Sequence, residues 1–141
     1  GVFLQVIGPP DRLLDHTQSD TDNASVVLRL VYGEVSFLLT GDLFQDGEAF
    51  ILRRGIDVES DVLKVAHHGS RSSSSQSFLS AVSPTAAVIS AGTENRFGHP
   101  HQEVLDRLAR HVPPDHVYLT GEHGNVTFVT DGKTLTVDTE R

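Results

Sequence analysis

Leu38-Leu39-Thr40-Gly41-Asp42 and, further along, Val62-Leu63-Lys64-Val65-Ala66-His67-His68-Gly69-Ser70 are the two stretches that decide how this chain is read. Each is a short apolar run of the kind that forms a buried strand. Each ends abruptly in ligand-type side chains beside a glycine. A strand that delivers a carboxylate, followed by one that delivers imidazoles, is a common way to build a metal site.

The rest of the chain supplies a fold around these runs. Val2–Ile7 reads as a strand and Gly8–Asn23, with Pro9-Pro10, as a loop. Ser25–Tyr32 and Val35–Thr40 form a hairpin through Gly33-Glu34, and the apolar end of the second strand predicts burial on both faces. Gln45–Arg54 has helical spacing and stops at Gly55. Asp61–Ala66 is a strand, and Ser73 with Gln76 reads as a capping box that opens a helix through Val82. Thr85–Ser90 is a buried strand, Pro100 falls in the first turn of a helix over Gln102–His111, and Val117–Thr120 is a strand. Gly121–Asn125 turns the chain into a last hairpin, Val126–Thr130 and Thr134–Val137. Strands alternating with helices give an α/β layer arrangement in one domain, residues 1–141.

The bulk numbers exclude several functions. A chain of 141 residues with 38% hydrophobic and 21% charged residues can bury one core. No apolar stretch approaches the roughly 18 residues of a membrane span, and there is no signal-peptide pattern. A net charge of −8 argues against a broadly basic nucleic-acid surface, although bound cations would change the local field. With no cysteine, any metal must be held by His and Asp or Glu. The chain has no methionine and opens directly on a strand, which reads as a piece of a longer protein.

Each candidate residue has a plainer alternative. Asp42 is either a metal ligand or the cap of the following helix. His67 and His68 point in opposite directions if extended, so that one ligates while the other faces substrate; otherwise both are solvated loop histidines. Gly98-His99-Pro100-His101 stands at a helix start, where backbone N–H groups favour anions, or is a His-Pro helix opening without a ligand. Asn95 and Arg96 lie beside it, and Ser70 with the serine run Ser72–Ser75 could donate to an anion. His16, His111, His116 and His123 read as structural or solvated, and Lys64 as a snorkelling lysine. No P-loop, G-x-G-x-x-G, G-x-S-x-G or H-E-x-x-H is present.

The order LLTGD, helix, VLKVAHHGS, then SAGTENRFGHPHQEVLDRL resembles the later half of a metallo-β-lactamase-fold domain, an αββα sandwich. More narrowly it is similar to the C-terminal domain of ComEC-like bacterial competence proteins, from about Val2 to Val137. The resemblance implies a hydrolase with two metals, zinc or manganese. Asp42 then corresponds to the carboxylate that bridges the metals and His68 to a histidine ligand. His67 faces substrate, and His99, His101 and Ser70 lie near its anion. It further implies a phosphodiesterase or nuclease acting on DNA during uptake, in a parent protein at the cell membrane with this domain at the membrane surface. Family members carry a His-x-Asp-x-Asp-His-type motif upstream that supplies most ligands, and no segment before Asp42 contains one. The expectation is therefore a C-terminal portion of the domain that binds metal weakly and is inactive alone, with its missing N-terminal half or a second copy as partner. A hydrolase of another ester or lactone, or a non-catalytic binding domain, are the alternatives.

Overall fold

The computed structural model describes residues 1–141. Six strands form one sheet in sequential order. The first three, β1 (Val2–Gly8), β2 (Val27–Tyr32) and β3 (Val35–Leu39), are antiparallel neighbours. From β3 the sheet continues in parallel through β4 (Val62–Lys64), β5 (Ala86–Ile89) and β6 (Val117–Leu119). Helices α1 (Gln45–Arg53), α2 (Gln76–Val82) and α3 (Gln102–Leu108) make the crossovers between the parallel strands. A single helical turn, α4 (Thr120–His123), leads to a separate hairpin of β7 (Val126–Thr130) and β8 (Leu135–Thr139). This is a mixed α/β architecture.

The pleat places Leu38, Leu63 and Ala87 on one side of the sheet, in register across three strands. That side meets the helices: Ile51, Phe78, Leu79, Val82, Val104 and Leu108 close over it as one core with Val27, Val65 and Ile89. Phe78 and Leu79 are almost wholly excluded from solvent, and each such side chain contributes about 1.5–3 kcal/mol by its removal from water.

The other side differs from the sequence expectation. Leu39, at the end of β3, is 42% exposed instead of buried on both faces. The β7–β8 hairpin reaches this side only at the start of the parallel strands, where Phe128 meets Phe37 and Tyr118 edge-on. Val2, Leu4 and Val6 of β1, on the same side as Leu39, remain exposed.

Three further expectations change. Strand β4 is shorter than Asp61–Ala66 because the chain turns at Ala66. The α2 cap is Ser75, whose Oγ accepts from the Phe78 N–H; Ser73 is buried two residues earlier and caps nothing. Pro100 precedes α3, whose N-cap is His101, and α3 ends at Leu108.

Candidate functional site

In an open parallel sheet, side chains that follow the carboxyl ends of neighbouring strands converge above that edge. Here β3 leads to Asp42, β4 to His67 and His68, and β5 to the loop carrying His99 and His101. Hydrogen bonds tie the ends together. The Thr40 hydroxyl donates to the Lys64 carbonyl at 2.6 Å, and the His67 N–H to the Gly41 carbonyl at 3.0 Å. The His101 N–H reaches the Gly69 carbonyl at 2.9 Å.

The two histidines are not extended. His67 (φ 48°) and His68 (φ 55°) both occupy the left-handed region that side-chained residues avoid. The double left-handed step brings the two rings to 6.4 Å instead of throwing them to opposite sides. Gly69 follows with φ 81°, and a Cβ there would come within 2.6 Å of Pro100 Cβ, so the backbone of this turn and the His99–His101 segment pack in direct contact. The result is one imidazole cluster. His67 lies 5.7 Å from His99, and His99 lies 4.8 Å from His101, centroid to centroid.

His68 Nδ1 is 2.7 Å from the Ser90 carbonyl. A carbonyl only accepts, so Nδ1 carries the proton and Nε2 of the neutral ring presents a lone pair. That Nε2 faces Asp42 Oδ1 at 3.6 Å. Two acceptors so disposed need a positive charge, either a second proton on the ring or a cation that both atoms ligate. A backbone carbonyl fixing the far nitrogen is the usual support of a metal-binding imidazole. Asp42 and His68 thus fit as two donors to a divalent cation. They do not amount to a site, since no three His, Asp or Glu side chains of this chain converge on one point.

Asp42 does not cap α1. Asn23, buried in the loop before β2, does so instead: its Oδ1 accepts from the Phe44 N–H at 3.2 Å and the Gly47 N–H at 2.9 Å. The Asp42 carboxylate is left free to face His68. Lys64 lies close enough to feel that carboxylate. Burial lowers the lysine's pKa and the Asp42 charge opposes the shift, while its Nζ donates to the Val65 carbonyl at 2.9 Å.

His67 stacks on Phe44, with rings 4.9 Å apart, and its Nδ1 is 3.4 Å from the Ser72 hydroxyl. His101 Nδ1 accepts from the Arg71 N–H at 3.1 Å, which leaves its Nε2–H as a donor. The Ser70 hydroxyl is buried and paired with that of Ser72 at 2.9 Å, so it holds the loop instead of reaching outward. Asn95 is likewise spent on its own loop, with Oδ1 accepting from the His99 N–H at 3.0 Å. His111, His116 and His123 take backbone or side-chain partners away from the cluster, as does Arg107, which binds the Ser73 and Ser74 carbonyls. Phe44 and Asn23 have no sequence signature, because their roles depend on contacts between segments far apart in the chain.

A model of the metallo-beta-lactamase superfamily matches residues 8–93. The chain belongs to the metallo-beta-lactamase superfamily. Among curated proteins it is 41% identical over 107 residues to ComE operon protein 3 of Bacillus subtilis, which covers 76% of this chain and 14% of that protein. It is 40% identical over 112 residues to competence protein ComA of Neisseria gonorrhoeae, covering 79% of this chain and 16% of that one. Recombination protein 2 of Haemophilus influenzae is 37% identical over 111 residues, 79% of this chain and 13% of that protein. The superfamily chain therefore spans about one-seventh of the length of the relatives it matches. No helix in it is long and apolar enough to cross a membrane.

Proposed function

We propose that this chain is part of a metal-dependent phosphodiesterase domain that cleaves DNA during competence-related uptake. The observation that carries this reading is the pairing of two lone-pair donors, Asp42 Oδ1 and His68 Nε2, beside a cluster of three further imidazoles. The names of the similar proteins, one a ComE operon protein, one a competence protein and one a recombination protein, support DNA as the substrate.

In this reading Asp42 and His68 hold zinc or manganese, and the remaining donors come from outside residues 1–141. A divalent cation there supplies Lewis acidity toward a phosphoryl oxygen. His101 donates from Nε2 to the phosphate, and His99 and His67 line the path to it. Phe44 and Ser72 keep His67 from turning away. The domain sits at the membrane surface of a longer protein.

Two measurements test this. In the full-length protein, Mn²⁺-dependent DNA cleavage should fall by about a hundredfold or more in Asp42→Ala; unchanged cleavage would overturn the assignment. Residues 1–141 alone should show only weak heats with Zn²⁺ or Mn²⁺ in isothermal titration. Tight binding of two metals per chain would sink the view that the donor set is completed elsewhere.

A further inference from the structure

The loop from β5 to α3 carries one aromatic side chain that neither the core nor the metal donors use. Phe97 is 60% exposed. A lone exposed phenylalanine means little, but this one is held in place. Its N–H donates to Asn95 Oδ1 at 3.2 Å, and Asn95 Nδ2 donates to the Gly92 carbonyl at 2.9 Å, so a single amide side chain braces the loop on both flanks. The ring lies 23° from parallel with His99 at 5.7 Å, and the Arg96 guanidinium sits 4.7 Å from its centroid. A planar cation already uses the ring's π surface.

Phe97 also borders a cleft of about 320 Å³ whose other walls include His68, Ser90, Gly92 and His99. That is the room of roughly ten waters, enough for one heterocyclic base. The cleft opens directly beside His68 and His99, where the proposed function puts the phosphodiester.

We infer that the Phe97–Arg96 edge is a stacking subsite for an unpaired nucleobase adjacent to the phosphodiester held by the histidine cluster. This rests on the reading that the substrate is a nucleic acid. Base–aromatic stacking is indifferent to which base is present and needs an unstacked one, so the subsite selects single-stranded or frayed substrate. The charge balance points the same way. A chain of net charge −8 has no broad basic field to hold a polyanion, and stacking supplies affinity that does not depend on one.

The test uses the full-length protein and fluorescence anisotropy with three labelled probes of equal length: oligo(dT), an abasic backbone and a duplex. Phe97→Ala should weaken oligo(dT) binding on the order of tenfold, about 1.4 kcal/mol, and Phe97→Trp should retain it. The abasic probe should bind the unaltered protein as weakly as oligo(dT) binds the alanine variant, with no further loss on substitution. If Phe97→Ala leaves oligo(dT) binding intact, or weakens the abasic and base-bearing probes equally, the stacking subsite is wrong and the nuclease reading survives. If the unaltered protein binds none of the probes and cleaves no DNA, the nucleic-acid reading itself falls, and this inference with it.

Discussion

His99 sits between the other imidazoles, and its chemistry follows from that position. Burial lowers its pKa first, and positive charge on His101, His67 and His68 lowers it further, against a smaller opposing pull from Asp42. The folded ring therefore gives up its proton at a lower pH than an unfolded histidine, whose pKa is about 6.5. Between the two values the unfolded chain binds more protons, so stability rises with pH through that window and is lost as pH falls through the folded pKa. NMR titration of the His99 ring should show its midpoint acid of 6.5. Urea midpoints should fall less between neutral and mildly acidic pH in His99→Gln than in the parent; an equal fall in both would refute the linkage. The sequence named most of this cluster because HHGS and GHPH each announce themselves at a strand or helix end. What it could not convey was convergence. Extended geometry would have separated His67 from His68, and only their left-handed backbone brings both rings to one side.

At the level of elements, the serine run between β4 and α2 is held by a clamp drawn from two other helices. Glu48 of α1 is fully buried, and its carboxylate oxygens accept from the Ser74 N–H at 2.5 Å and the Ser75 N–H at 2.9 Å. Burial raises its pKa, opposed by these hydrogen bonds and by the Arg107 charge. Arg107 of α3 donates from Nη1 to the Ser73 and Ser74 carbonyls at 3.0 and 2.8 Å. A stretch that reads as low-complexity solvation is thus a buried junction of α1, α2 and α3, in which Glu48 and Arg107 take up backbone groups of Ser73, Ser74 and Ser75 while the Ser73 hydroxyl is left without a partner. Glu48→Ala strips partners from two N–H groups in a buried setting and should cost about 3 kcal/mol. Chemical denaturation checks the magnitude, and hydrogen exchange should show the Ser74 and Ser75 amides losing protection first. The strands and crossover helices themselves were legible from apolar runs and turn residues, to within a residue or two at their ends except for α3, which stops at Leu108, three residues short of His111. Glu48 and Arg107 were not, since a lone acid and a lone base on helices carry no periodic signal of the partner they will meet.

Taken as a whole, the molecule covers one side of its sheet and leaves much of the other bare. Val2, Leu4, Val6 and Leu39 form an apolar strip that the β7–β8 hairpin does not reach. In residues 1–141 taken alone such a strip favours self-association. Sedimentation should show concentration-dependent dimers that Leu4→Lys with Val6→Lys abolishes, whereas a compact monomer at all concentrations would count against it. The other whole-molecule consequence concerns descent instead of assembly. Two successive side-chained residues in the left-handed region cost stability that glycine or asparagine would return. Selection for foldedness alone therefore pulls against His67 and His68, and only a use for the imidazoles can hold them. A branch of the superfamily that gave up its chemistry should show it here first, as glycine or asparagine in place of the paired histidines.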